Sequence, residues 1–525
     1  MLVTEMMEKA RTFYPKKYGV ICGGNRFTYS QFGERVDRLS NALHNLGLKK
    51  GDTVAILHRN CHYYLEVYFA TMQVGIVLCP LNYRLSPREL AFILNDNDAK
   101  ALIAEGHFAE KVTKTFPQVP HLKEVIWTGG KSTEGLKGKG YEDLCASVSP
   151  FPPSGVSLKD EGVIQLYYTS GTTGRQKGVM LSHRNVYGHA MSTIAELHLT
   201  DEDVWIHAAP MFHLADAWAT WAVTWVGATH TFVKEFNARE VLETIQRERV
   251  TISNMIPMML NMLVNYPEVN KYDLSSLRAI LSGGAPIAPE VVRRIMETFR
   301  CDYIQTYGMT ETSPYLTMSI LKDHLKQLPE DEQFKYKAAT GRAVMGISLK
   351  VVDEKGEEVK HDGKEVGEII VKGDAVTRGY WGLPEETKKA IKEGWLYTGD
   401  LAVIDEEGYV NIVDRKKDMI VTGGENVYST EVENVLYMHP AILETAVIGV
   451  PNEKWGEAVK AVVVLKEGHK ASEEEIIIFC TENIAHYKSP KSVDFMDELP
   501  KTGSGKIYKK GLRDQYWEDK GKRVS

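Results

Sequence analysis

The stretch LYYTSGTTGRQKGV, from Leu166 to Val179, places three glycines, four Ser and Thr hydroxyls (Thr169, Ser170, Thr172, Thr173) and the cation of Lys177 behind an apolar run. Glycine lets backbone N–H groups come close to a polyanion, hydroxyls add donors, and a lysine neutralises charge. Groups of these types at this spacing suit a phosphate loop. The G-x-x-x-x-G-K-[ST] spacing is absent and Val179 to Leu181 reads as a returning strand, so the loop differs from the kind that opens onto a helix. A solvated hairpin whose glycines serve only the turn would use the same residues. What separates the two readings is whether other parts of the chain supply matching groups.

Such groups need a scaffold, and the hydrophobic pattern describes one. Ser30 to Leu46 puts Val36, Leu39, Leu43 and Leu46 on one helical face, Gly47 supplies a stop, and Thr53 to Leu57 follows as a short apolar strand. Helical spacing returns at Tyr63 to Met72 and after Ser86, with strands at Gly75 to Cys79 and Ala101 to Ala104. A second alternating block runs from Val163 to Tyr315, and alternation of this kind predicts mostly parallel sheet covered by helices. The Gly- and Lys-rich stretch from Thr128 to Gly140, with Pro150, Pro152 and Pro153 beyond it, reads as surface loop. After Thr340 the texture changes to short strands and turns, as at Ser348 to Val352, Glu368 to Val371 and Tyr409 to Ile412, which suits a small barrel or sandwich. Ala458 to Leu465 and Ser492 to Phe495 read as strands around a helix opened by a Ser472 and Glu475 capping box. The expected fold class is α/β: a large N-terminal domain of two doubly wound α/β subdomains plus a small β-barrel at residues 1–414, then a small α+β C-terminal domain at residues 415–525.

Composition narrows the function classes. The 525 residues are 43% hydrophobic and 25% charged, an ordinary globular balance that sets aside disordered and collagen-like chains. A net charge of -7 offers no basic field for nucleic acid. Cys22, Cys61, Cys79, Cys145, Cys301 and Cys480 are scattered, without a CxxC pair, which fits a reducing compartment. The first residues carry Glu5 and Glu8 and no basic-then-apolar leader, and the final KRVS is not a peroxisomal address, so a cytoplasmic location is expected. The most apolar long window, Ala208 to Val233, contains Pro210, His213, Asp216 and His230, and reads as a buried helix and strand, not as a transmembrane segment.

The phosphate loop does not stand alone. In order, the chain also carries PMFH at 210–213, SGGAP at 282–286, YGMTET at 307–312, YTGD at 397–400, DRKKDMI at 414–420, GGENVY at 423–428 and PKTGSGK at 500–506. This ordered set resembles the adenylate-forming superfamily, which contains acyl-CoA synthetases, peptide-synthetase adenylation domains and firefly-type luciferases, and the likeness covers nearly the whole chain. It implies a two-step ligation: a carboxylate attacks the α-phosphate of ATP to form an acyl-adenylate and pyrophosphate, then a thiolate displaces AMP. By similarity, Thr169, Ser170, Gly171, Thr172, Thr173, Gly174 and Lys177 would hold the β- and γ-phosphates. Tyr307 and Gly308 would meet adenine, whose other face would lie on Gly283, Gly284 and Ala285. Thr310 would donate to the α-phosphate and Glu311 would hold Mg²⁺, a hard ion that favours carboxylate and phosphate oxygens. Asp400 would accept the ribose hydroxyls with Arg415 beside it. Lys506 would be the catalytic lysine that bridges carboxylate and ATP, carried by a C-terminal domain that is mobile and pivots at Lys417, with Gly423 and Gly424 lining the path of the coenzyme A thiol arm. The same likeness implies a homodimer. Two departures from the family pattern, Gln176 and Ser429 where proline is common, touch loop stiffness and leave every donor and charge in place.

The acyl group is read from PMFH and the residues downstream of it. Amino-acid-activating relatives carry an aspartate where this chain has His213, so an ammonium would be buried unpaired and a plain carboxylic acid is favoured. His213 would face that acid. Trp218, Trp221 and Trp225 form an aromatic helical stripe, a pattern more often core than pocket, in which Trp218 lies nearest His213 and would bound the acyl chain. Fatty, branched and aryl acids all fit these residues, with a fatty or related hydrophobic monocarboxylic acid expected and coenzyme A as co-substrate. Loading of a free carrier protein and luciferase-like oxygenation are the alternatives. A nucleotide-binding protein without catalysis is disfavoured by the presence of both Glu311 and Lys506.

Overall fold

Every side chain of Thr53–Leu57 is buried, as a strand covered on both faces requires. In the computed structural model, which describes residues 1–129, 136, 138–169, 176–284, 289–452, 454–502 and 507–517, this strand is the centre of a seven-stranded sheet. The order is Lys139–Gly140, Glu124–Thr128, Ala99–Glu105, Thr53–Leu57, Val77–Pro80, Val163–Thr169 and Lys177–Ser182, parallel except for the antiparallel final pair. The covering helices follow the sequence pattern. Tyr29–Asn45 opens on a capping box between Thr28 and Gln31, buries Phe32, Val36, Leu39 and Leu43, and gives way to Gly47 at φ 83°. Pro87–Asp96 repeats the device with Ser86 and Glu89.

A second sheet of fourteen strands is parallel through Tyr18–Cys22, Thr229–Phe232, Val204–His207, Ile252–Asn254, Ala279–Gly283 and Asp302–Gly308. It turns antiparallel at Tyr315–Met318 and continues through Gly341–Ala343, Tyr409–Arg415, Trp395–Ile404, Gly367–Gly373 and Ile347–Val352. The short strands after Thr340 are thus hydrogen-bonded edge to edge onto the doubly wound sheet, because Thr317 pairs with Ala343 and Arg342 with Tyr409. Beyond Arg415 the chain enters a five-stranded sheet that begins at Ile420–Thr422 and includes Gly456–Leu465 with Ser492–Phe495 parallel beside it. Its own core comprises Ile420, Val432, Leu436, Val447, Val459, Val463 and Ile476.

The apolar window near residue 220 folds as the buried helices Leu214–Ala217 and Ala219–Val226 and the strand Thr229–Phe232. Its polar groups find partners inside the protein. Asp216 Oδ2 lies 2.6 Å from His207 Nδ1, His207 Nε2 lies 3.0 Å from His230 Nδ1, and His230 Nε2 lies 2.9 Å from Thr224 Oγ1. Among the described residues no helix is long and apolar enough to cross a membrane.

Three further histidines are buried neutral, with consequences for stability. Burial lowers the pKa of His58 and of His183 to about 4 and that of His189 to about 3, against about 6.5 in an unfolded chain. Above pH ~6.5 both states are neutral at these sites; as pH falls towards 4 the unfolded chain takes up protons that the folded chain does not, and stability drops. Urea denaturation is therefore expected to show a falling midpoint between pH 7 and pH 4.5. His189→Gln, which keeps an acceptor for the Tyr315 N–H now 3.2 Å from His189 Nε2, is expected to flatten that slope. An unchanged slope in this variant would refute the assignment.

Candidate active site

The strands Val163–Thr169 and Lys177–Ser182 form a hairpin whose last pair is Thr169 opposite Lys177. The expected returning strand is present, and the pair marks the base of the glycine-rich loop; Ser170, Gly171, Thr172, Thr173 and Gly174 lie outside the described residues. Lys177 is only 15% exposed, with Nζ 2.6 Å from Glu386 Oε2 and 5.2 Å from the centre of the Tyr380 ring. The Tyr380 hydroxyl donates to Glu311 Oε1 at 2.9 Å. One tyrosine therefore touches both the lysine and the acid for which the family resemblance implies a place at the phosphates.

Glu311 sits with Thr310 in the short turn Thr310–Thr312, and its side chain is buried. Burial pushes its carboxyl above the usual carboxylate range; donation from Tyr380 and the charge of Arg415 oppose that rise, and Asp400 adds to it. Among the described residues no group of three or more His, Cys, Asp or Glu side chains is arranged around a metal. A Mg²⁺ here would rest on one buried carboxylate plus substrate phosphates, a set that suits a hard ion which keeps part of its water.

Tyr307 is the penultimate residue of the strand Asp302–Gly308, and its hydroxyl donates to Asp400 Oδ2 at 2.7 Å. Asp400 Oδ1 is 3.1 Å from Arg415 Nε across the strand pair that sets these two residues opposite each other. Asp400 is 4% exposed. A carboxylate has about four lone-pair sites, so these two protein donors leave acceptor capacity for ribose hydroxyls. The link between Tyr307 and Asp400 has no signal in the sequence, since 93 residues separate them.

The glycines of the expected adenine bed have reasons of their own. A Cβ on Gly283 would lie 2.3 Å from Thr306 Oγ1, and one on Gly308 would lie 1.8 Å from the Pro314 carbonyl oxygen. Packing between neighbouring strands demands glycine at both places. Gly284 turns the chain at φ 86° and is exposed, and Ala285 lies outside the described residues. Gly423 and Gly424, at φ 61° and 87°, form a two-residue hairpin between Thr422 and Glu425, a turn that requires left-handed backbone. A Cβ on Gly423 would press on the Trp455 ring at 2.8 Å.

Two further positions have packing of their own. Trp218 is wholly buried, with its indole N–H donating to the Tyr315 hydroxyl at 2.8 Å and its ring against Trp205, His189 and Tyr315. Its helical stripe packs against the strands that carry Trp205 and Tyr315. Ser429 does more than alter stiffness: its N–H and hydroxyl both donate to Asp414, and its hydroxyl receives Lys509 Nζ at 2.7 Å. A proline there would have no N–H to give. His213 occupies the N-cap position of the helix Leu214–Ala217 without a side-chain cap, its ring against Phe212, in the connection that follows the strand Val204–His207.

Lys506 lies outside the described residues, but its loop has visible feet. Lys501 bridges Ile507, and Tyr508 N–H donates to the Pro500 carbonyl at 2.7 Å. Lys509 is anchored at 2.6 Å from Glu433. Lys417 falls in the turn between Arg415 and Ile420, where its carbonyl accepts from Arg513 at 3.1 Å.

Comparison with known proteins gives the same outline. Residues 7–381 match the family described as AMP-binding enzyme, and residues 431–506 match the AMP-binding enzyme C-terminal domain. The chain is 35% identical to the peroxisomal butyrate–CoA ligase of Arabidopsis thaliana over 527 residues, covering 97% of this chain and 92% of that one. It is 34% identical to a fatty acid–[acyl-carrier-protein] ligase of Streptomyces coeruleorubidus over 515 residues, covering 97% and 96%. The crystal structure of ATP-bound MatB from Rhodopseudomonas palustris superposes with a TM-score of 0.88 at 30% identity, covering 99% of this chain and all of that one.

Proposed function

The chain belongs to the AMP-binding enzyme family, and from that premise we propose that it is an AMP-forming acid–thiol ligase which converts a fatty or related hydrophobic monocarboxylic acid to its coenzyme A thioester. The observation that carries this reading is the convergence of four distant segments. Lys177, Tyr380 and Glu311 form one chain of contacts, and Tyr307, Asp400 and Arg415 form another. The two are near enough for Asp400 and Arg415 to act on the Glu311 carboxyl.

A carboxylate resists attack by a thiol, and conversion to a mixed anhydride with AMP supplies the leaving group. The acid's oxygen attacks the α-phosphorus and the pyrophosphate oxygen departs with its electron pair; the thiolate then attacks the acyl carbon and AMP leaves. Asp400 and Tyr307 would fix the nucleoside end and Lys177 the far phosphates, so the α-phosphorus is held between them. Glu311 would hold Mg²⁺, which when bound neutralises charge on the phosphates. Thr310 would donate at the α-phosphate, and Lys506 would neutralise the approaching carboxylate. The replacement of an acidic residue by His213, together with the butyrate and fatty-acid relatives, supports an uncharged acyl chain. The scattered thiols suit a reducing, cytoplasmic setting.

The test is AMP and pyrophosphate formation from MgATP across acids from acetate to long-chain fatty acids and benzoate, each with and without coenzyme A. Coenzyme A-dependent turnover with an optimum among the aliphatic acids is expected. Pyrophosphate release without coenzyme A consumption would favour the carrier-protein reading, which the Streptomyces relative supports. No pyrophosphate with any acid would overturn both.

A further inference from the structure

The segment Thr377–Trp381 is pinned onto the strand that carries Lys177. Val179 bridges Tyr380, Met180 N–H donates to the Gly379 carbonyl at 3.1 Å, and Trp381 N–H donates to the Gly178 carbonyl at 2.8 Å. The next turn is tight. Thr387 Oγ1 accepts from Tyr380 N–H at 3.0 Å and donates to the Leu383 carbonyl at 3.0 Å, and any Cβ on Gly379 would meet the Thr387 side chain at 2.3 Å. This packing fixes the helix Pro384–Ala390 against the base of the glycine-rich loop and sets the Glu386 carboxylate 2.6 Å from Lys177 Nζ. The second Glu386 oxygen takes Lys389 Nζ at 2.7 Å, and the Tyr380 ring supports the Lys177 ammonium from the side.

Resting on the ligase reading, we propose that Glu386 is a resident stand-in for the polyphosphate of ATP: it holds the Lys177 ammonium at the phosphate site, yields it when ATP binds, and reclaims it as pyrophosphate leaves. A carboxylate and a phosphate compete for the same donors of a lysine, which behaves as a flexible point charge. The pair is partly exposed, 15% at Lys177 and 29% at Glu386, so water can enter and exchange is inexpensive. Lys177 and Lys389 draw the Glu386 carboxyl down to about 2, and the stand-in is charged throughout the physiological range. Tyr380 holds Glu311 by its hydroxyl while its ring faces the lysine, so the handover occurs beside the acid that faces the same phosphates.

The consequence is a specific pattern of affinities. Calorimetric titration of the full chain with MgATP, with magnesium pyrophosphate and with AMP, in the absence of acid and coenzyme A, reads binding without turnover. Glu386→Gln is expected to tighten ATP and pyrophosphate by about fivefold, the scale of a partly exposed ion pair, and to leave AMP within twofold. In a Lys177→Ala background the same substitution is expected to change nothing, because the effect passes through that lysine. During turnover, the KM for ATP is expected to fall in Glu386→Gln while pyrophosphate becomes the stronger inhibitor. Unchanged or weaker ATP binding, an equal shift for AMP, or an effect that persists without Lys177 would each overturn the proposal. Failure of the unaltered chain to bind either ATP or AMP would be a different result and would sink the ligase reading itself.

Discussion

Lys506→Ala is expected to lower pyrophosphate formation from MgATP and a good acid by about 10²- to 10³-fold, the usual loss when one preorganised charge is removed from a developing anion. Adenylation brings a carboxylate to a phosphorus already ringed by oxygens, and on the proposed reading the Lys506 ammonium would relieve that repulsion. Thioester formation from supplied acyl-adenylate and coenzyme A is expected to remain within about threefold, because neutralising the incoming carboxylate belongs to the first step alone. Lys506→Arg is not expected to restore activity, since a planar fork does not replace a compact point charge. The pairing of Lys501 with Ile507 and the anchoring of Lys509 on Glu433 and Ser429 hold both feet of the loop, so alanine at 506 should leave the fold intact by circular dichroism. Equal loss in both half-reactions, or survival of both, would remove Lys506 from the role assigned to it.

Much of the scaffold is legible in the sequence because it is built from local signals. The spacing of Val36, Leu39 and Leu43, the Gly47 stop, the helix after Ser86 and the capping box at Ser472 are each local signals, and each is present. The single ladder joining the parallel sheet to the later short strands is not legible, because the pairing of Tyr315–Met318 with Gly341–Ala343 across a 22-residue connection leaves no periodic trace. In the site, motif residues such as Glu311, Tyr307 and Asp400 announce themselves, but their partners do not. Tyr380 lies just before the short helix Pro384–Ala390, and Glu386 lies within it beside Lys388 and Lys389, a charged stretch that reads as a solvated surface; the pinning of Tyr380 on Val179 brings them to Lys177. The surroundings of Trp218 are not legible for a related reason. A helical stripe shows which face is apolar, not whether that face meets a cavity or the sheet beneath. Glycine is the converse case: Gly283 and Gly308 are demanded by close strand packing, so their presence alone says little about a bound ring.

Asp400→Ala is expected to weaken AMP and ATP alike by about 10²-fold, as two hydrogen bonds from ribose hydroxyls to a carboxylate, each worth about 1.5 kcal/mol, are lost together. It is also expected to cost about 1–3 kcal/mol of stability, since the Tyr307 hydroxyl would be left without its acceptor in a half-buried place. Arg415, half exposed, finds water instead. Tyr307→Phe separates the two effects: the ring proposed to face adenine stays, the brace on Asp400 Oδ2 goes, and AMP affinity is expected to change by less than about fivefold. Calorimetry with AMP and urea denaturation of the same variants check both numbers. An Asp400→Ala protein that folds and binds AMP as tightly as the parent would show that the carboxylate serves only its contacts with Tyr307 and Arg415. The contrast with Glu386 is what makes these measurements informative as a set. On the proposed reading a change at Asp400 must register on AMP, whereas a change at Glu386 must register only on the polyphosphate, because the two carboxylates would face opposite ends of one nucleotide.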